Sequence, residues 1–183
     1  MKIQYFENDE YEKTESMYSL SKTEGFINDD ILLLDSDILY DGRALIELIN
    51  HPFDNMTIVN PISGSGDEVF ICMDKQNYLT NLGKNISNKE EAIGEFVGIS
   101  KLSLQFLKQL YATAKEDYSR NELRYHCETC MFKTSKKNNP VKGLLIGDLA
   151  WTEIDNEDDL KRAIIEVHPK IKRTDSDKLI GKH

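Results

Sequence analysis

The stretch Ile31-Leu32-Leu33-Leu34-Asp35-Ser36-Asp37-Ile38-Leu39-Tyr40 constrains the fold more than any other part of this chain. A short apolar run bounded by polar residues has the pattern of a strand buried on both faces, the kind that parallel sheets contain. It stops at two carboxylates one residue apart. Open α/β sheets bind ligands at the carboxyl ends of their strands, so Asp35 and Asp37 stand where chemistry is usually done. Magnesium is commonly held by one or two carboxylates together with substrate phosphates, and this pair offers that half of a site.

The remaining pattern alternates strands with helices. Lys2 to Phe6 reads as an extended segment, Met17–Thr23 as a short helix and 31–35 as the apolar strand. Gly42 to Asn50 carries Leu45, Ile46, Leu48 and Ile49, a short helix that stops before His51-Pro52. Met56–Asn60 is a strand, and Pro61 to Gly66 a turn-rich loop. Val69–Met73 and Tyr78–Leu82 flank Asp74-Lys75-Gln76-Asn77 as a hairpin, and Gly94–Ile99 gives a further strand. Helices are expected over Leu102–Tyr118 and over Glu122–Lys137, the latter closed by Asn138-Asn139-Pro140.

Short strands follow at Leu144–Ile146 and Ala150–Ile154. Asn156 is a good N-cap for a helix that carries Leu160, Ala163, Ile164 and Val167 and ends at His168-Pro169. Residues 168–183 then read as a basic, frayed tail, with Lys170, Lys172, Arg173, Lys178 and Lys182. This order defines an α/β fold with a mixed sheet, one domain over 1–167 and the tail over 168–183.

A length of 183 residues, 39% hydrophobic and 30% charged, suits one globular domain. The formal charge of −9 argues against a general nucleic-acid or anionic-membrane binder. No run approaches the roughly 20 apolar residues of a membrane span. Three cysteines and a start without an apolar signal core point to a reducing, cytoplasmic setting. Cys127-x-x-Cys130 beside His126 lacks the further ligands that structural zinc needs, so both cysteines are expected as buried apolar side chains.

Three acids are candidates for chemistry: Asp35, Asp37 and Asp155, the last again between a strand and a helix, where an ordinary loop acid is the equal alternative. If their strands are neighbours, the carboxylates share one rim and can share a divalent cation. Asp158 and Asp159 need no such role, because first-turn acids complement a helix dipole. An EF-hand is excluded by Leu39 and Tyr40 at its fifth and sixth positions. Ile31–Leu39 also resembles the aspartate motif of haloacid-dehalogenase-type phosphatases, and Leu144–Asp148 their late acidic motif, without the expected Thr after the second aspartate. The DxD of sugar-nucleotide glycosyltransferases is a further rival.

Five stretches together resemble the sugar-nucleotidyltransferase superfamily, nearest its phosphocholine and 2-aminoethylphosphonate cytidylyltransferases. They are Asn8–Tyr11 with Ser16–Leu20, Leu32–Tyr40, Gly83-Lys84, Gly94–Lys101, and Trp151–Asp155 with Asp158-Asp159-Leu160 and Ala163. The resemblance implies a Rossmann-like, GT-A-like domain that moves a nucleotidyl group, CMP from CTP, onto a small phosphorylated or phosphonate acceptor such as phosphocholine or a sugar phosphate. Pyrophosphate leaves. It implies Mg2+ on Asp37 and Asp155, with Asp35 in support. Lys84 would face the acceptor's phosphate, Glu95 and Glu128 would line the acceptor side, and Tyr18 would offer its ring to a choline-like cation.

One departure stands out. The superfamily opens with a strand and a glycine-rich loop, roughly LAAGxGxRL, that grips the triphosphate, and no such segment occurs here. The resemblance therefore implies a domain truncated at its N-terminus by roughly 50 residues, about the size of the missing strand-helix units. Its exposed edge would invite self-association or a complementing partner. A non-catalytic binding or assembly module derived from the same family is the alternative of a different class.

Overall fold

The computed structural model describes residues 2–137 and 139–180. Its order is α1 (Ser16–Ser21), β1 (Ile31–Leu34), β2 (Ile38–Tyr40), α2 (Arg43–Asn50), β3 (Met56–Asn60), β4 (Phe70–Met73), β5 (Leu79–Gly83), a 3-10 turn (Lys89–Glu91) and β6 (Gly94–Leu102). There follow α3 (Leu104–Ser119), α4 (Cys127–Ser135), β7 (Lys142–Leu145), β8 (Trp151–Glu153), α5 (Glu157–Arg162), a π-helical turn (Ala163–Val167) and α6 (His168–Ile180). No described helix is long and apolar enough to cross a membrane.

β6 is the axis of the molecule. Its first residues pair antiparallel with β4, its last four with β1, and β3 runs antiparallel along its other side. β5 extends the sheet beyond β4 and β7 lies parallel to β3, while β2 and β8 form a separate two-stranded ribbon. The sheet is therefore mixed, as the alternation of strands and helices implied.

Apolar alternation along these strands feeds two cores, one on each face. Val59, Ile71, Leu82 and Leu102 pack under α1, α3 and α4 with Met17, Phe106, Leu110 and Met131. Ile58, Val97 and Ile99 pack on the opposite face under Ala44 and Leu48 of α2. Between the pairs Thr57–Ser100 and Val59–Phe96, residues 97–99 of β6 stand opposite Ile58 alone. Two inserted residues keep the in-out alternation intact while bending the strand. The bend centres on Gly98, at φ +80, whose carbonyl accepts the Asp35 N–H at 2.9 Å.

Several boundaries differ from the expectation. β1 pairs with β6 alone and antiparallel, so it is an edge strand rather than a doubly buried parallel one, and Leu32 is 36% exposed. Lys2 to Phe6 forms no strand. The helix expected from Glu122 starts only at Cys127: Asn121 has φ +64, and Arg124 is drawn away to the Glu12 and Lys13 carbonyls. His168-Pro169 does not end the last helix. The turn before it is π-wound, with the His168 N–H bonded to the Ala163 carbonyl, and Pro169 falls in the first turn of α6, where its missing N–H costs little. The segment expected to fray is thus helical to Ile180, while Lys182 and the rest of 181–183 lie outside the described residues, as does Asn138.

A Cβ at Gly98 would lie 2.6 Å from Asp35 Oδ2. Gly98→Ala therefore combines a left-handed backbone with a steric clash and should cost about 2–3 kcal/mol. A urea titration should show a lower midpoint at unchanged slope.

Candidate functional site

The site forms where β1 hands over to β2 and where β8 ends. β2 pairs antiparallel with β8, Ile38 opposite Glu153, and the ladder runs on through the Ile154 N–H to the Asp37 carbonyl at 2.9 Å. This places Asp37 beside the backbone that carries Glu153 and Asp155. On the far side, Asn156 caps α5 by accepting the Asp158 and Asp159 N–H groups. Asp159 in turn accepts the Asp155 N–H at 3.3 Å and pairs with Arg162. Asp158 and Asp159 thus serve the helix, as their first-turn placement predicts.

Asp67, Glu153 and Asp155 bring carboxylate oxygens within 4.8 Å of one another. Sequence reasoning named Asp155 of these and missed the other two. Thr152 is buried and strand alternation turns Glu153 to the opposite face, a pairing that the three residues of β8 do not reveal on their own. Asp67 arrives on the 61–69 loop through tertiary folding, which leaves no local signal. Asp37 is not within that trio but lies close enough to act on it. Burial pushes the Glu153 carboxyl up to about 7, with Asp67, Asp155 and Asp37 adding to the rise and Lys84 opposing it.

A second group of acids lies across Lys84. Burial of the Asp35 carboxyl, in a residue otherwise open to solvent, pushes it up to about 6, helped by Glu128 and Asp37 and opposed by His126. Glu128, in the first turn of α4, is also raised by burial, against the charges of His126 and Lys84. Lys84 follows the last residue of β5, and its charge is felt by both Glu128 and Glu153. The structure thus brings Asp35, Asp37, Lys84, Glu128 and Asp155 into one neighbourhood.

Glu95 and Tyr18 are placed differently. Glu95 is 2% exposed at the start of β6 and accepts both the N–H and the hydroxyl of Ser63 at 3.1 Å. It anchors the 61–69 loop and so sets where Asp67 sits. A cleft of about 780 Å³ runs from that loop past Glu95 to Glu153 and Asp155. Tyr18 donates to Glu10 at 2.5 Å, its ring packs on Tyr118, and Lys22 lies over it at 4.5 Å. Its aromatic face is already taken by the chain's own cation.

Cys127 and Cys130 are buried, and burial pushes their thiols up to about 12 and 11. They behave as the buried side chains expected of them. Asp148, part of the phosphatase-like motif, is held by Arg43 together with buried Asp41.

The chemistry of the donors fits magnesium. The trio with Asp37 offers only carboxylate oxygens, the ligands of hard cations, and no thiolate or imidazole that would select zinc.

No protein-family model matches the chain. Its fold is similar to that of solved nucleotidyltransferases. The inositol-1-phosphate CTP transferase from T. maritima aligns with a TM-score of 0.72 at 22% identity, over 90% of this chain and 65% of that one. The CTP:phosphocholine cytidylyltransferase from Streptococcus pneumoniae gives 0.60 at 16%, over 85% and 64%. A Bacillus anthracis protein described as a glucose-1-phosphate thymidylyltransferase gives 0.59 at 15%, over 80% and 58%. The chain therefore shares the fold of these proteins, and it spans less than two thirds of their length.

Glu95 yields a pH prediction. Burial raises its folded carboxyl from 4.5 to about 7, with Glu68 and Asp67 adding and the Ser63 bonds opposing. Between those values the folded state binds more protons than the unfolded chain, so stability falls as pH rises and levels off above about 7. Glu95→Gln should flatten that decline by about 2 kcal/mol in urea unfolding at pH 5 and 7.5.

Proposed function

We propose that this chain carries the metal and acceptor side of a magnesium-dependent nucleotidyl-transfer site. The reaction is transfer of a nucleotidyl group, CMP from CTP, to a small phosphorylated or phosphonate acceptor. One observation carries the reading. Acids distant in sequence, Asp67, Glu153 and Asp155, meet at one rim of the sheet, with Asp37 and Lys84 in electrostatic reach of Glu153 and Lys84 also in reach of Glu128. The shared fold with two CTP-using transferases supports the choice of chemistry.

Each group then has a task. An acceptor phosphate is mostly a dianion near neutrality and attacks the α-phosphorus without a general base. Lys84 binds that phosphate and aligns it, offsetting its repulsion from the acids nearby. Asp37 and Asp155 would hold magnesium, joined by Glu153 and Asp67, with Asp35 in support from beside Gly98. Magnesium bound there would neutralise charge on the phosphates and on the departing pyrophosphate. Asp35 and Glu128 present negative charge to a cationic acceptor head such as choline. Glu95 acts through the loop it anchors, and Tyr18 has no direct role.

A second reading is favoured by the charge balance. Around the trio the acids outnumber the cations, and a triphosphate brings more negative charge still. On that observation the chain is a non-catalytic acceptor-binding module of the same fold.

The two readings separate cleanly. With CTP, Mg2+ and phosphocholine, pyrophosphate release supports transfer, and Asp155→Asn or Lys84→Ala should lower it about 100-fold or more. Mg2+ alone should raise the melting temperature at pH 7.5 by about 2–4 °C, an increment that Asp155→Asn removes. Phosphocholine binding in calorimetry without nucleotide binding would support the module instead. No response to metal, nucleotide or acceptor would sink both.

A further inference from the structure

Asp67 is an exposed side chain on a loop whose glycines give it freedom and no packing. Gly64 and Gly66 sit at φ +79 and +101, and a Cβ built on either meets nothing within 4 Å. What holds this stretch is polar, and it starts in the core. Glu95, 2% exposed at the head of β6, accepts the Ser63 N–H and the Ser63 hydroxyl, both at 3.1 Å. The Ser63 Oγ accepts the Ser65 N–H at 3.3 Å, and the Ser65 hydroxyl donates to Asp67 Oδ1 at 2.6 Å. Ionised carboxylates only accept, so each serine gives its one proton to an acid. A buried acid thus holds an exposed one through two serines.

The Ser65 bond decides how Asp67 can meet a cation. With Oδ1 engaged, Oδ2 is left as the donor atom, and it accepts no hydrogen bond among the described residues. Asp67 is then a ligand of one oxygen, set in place before an ion arrives. Magnesium demands near-ideal octahedral geometry and keeps several waters, so a fixed single oxygen suits it. Calcium takes roughly six to eight oxygens in flexible geometry and often draws both from one carboxylate. A mobile Asp67 with two free oxygens would suit calcium instead.

We propose that Ser65, positioned by Ser63 and Glu95, is a specificity-determining residue of the cation site. By holding Asp67 to one oxygen it favours magnesium over calcium. The inference rests on the cation site proposed above, and it adds what sets the choice of ion there.

Calorimetry on the whole chain at pH 7.5, with Mg2+ and Ca2+ titrated separately, tests it through the ratio of the two dissociation constants. Ser65→Ala should move that ratio toward Ca2+ by about 5–10-fold. Ser65 is exposed, so the ion-free melting temperature of this variant should stay within about 2 °C of the wild type. Ser65→Thr keeps the hydroxyl and should restore the wild-type ratio. Ser63→Ala should shift the ratio in the same direction as Ser65→Ala, and the double variant should shift it no further than Ser65→Ala alone. An unchanged ratio in Ser65→Ala, with both ions weakened equally or not at all, would overturn the inference and leave the cation site standing. A shift that Ser65→Thr reproduces instead of reversing would do the same. Binding of neither ion by the wild type would overturn the inference together with the cation site.

Discussion

A single strand with three partners holds this molecule together. β6 joins β1 and β4 on one side to β3 on the other, so both cores and both halves of the candidate site hang from it. Along its nine residues β6 passes from β4 to β1 on one side while keeping β3 on the other. The irregular step at residues 97–99 lets it change direction, and Gly98 supplies the left-handed backbone this needs. The same residue receives the Asp35 N–H, so the bend that serves the sheet also fixes the start of the acidic turn.

Electrostatics give that turn its character. The β2–β8 ribbon carries only three residue pairs, yet it brings Asp37 to a backbone more than 100 positions later. Burial pushes Glu153, Asp35 and Glu128 up in pKa, neighbouring acids add to the rise at Glu153 and Asp35, and Lys84 and His126 oppose it. Such a cluster is a standing cost to the fold at neutral pH. A bound cation would relieve it, which couples occupancy of the site to stability.

Much of this was legible in the sequence where the signal is local. The apolar run ending in Asp35-Ser36-Asp37, the Asn156 cap and strand β3 are written in neighbouring residues, and Asp155 drew notice because a capping Asn156 left it unexplained. What failed depended on distant partners. An apolar strand reads alike whether it lies inside a parallel sheet or at an antiparallel edge, so β1 was misplaced. Pro169 reads as a helix stop unless the preceding turn is π-wound, and the apparent continuity of 122–127 hid Arg124 reaching back to the Glu12 and Lys13 carbonyls. Asp67 joins the acidic trio through a loop that Glu95 anchors, and the contact of Lys22 with the Tyr18 ring has no counterpart in the local sequence pattern.

The central claim is that Asp37, Asp67, Glu153 and Asp155 form one divalent-cation site at the sheet rim. Manganese titrated into the isotopically labelled chain tests it directly, because a paramagnetic ion broadens the resonances nearest to it. Broadening should begin at Asp37, Asp67, Glu153 and Asp155 and reach Lys84 and Asp35 later. Broadening that begins at Asp29-Asp30 or along Glu157–Asp159, or that spreads evenly over the acidic surface, would contradict it.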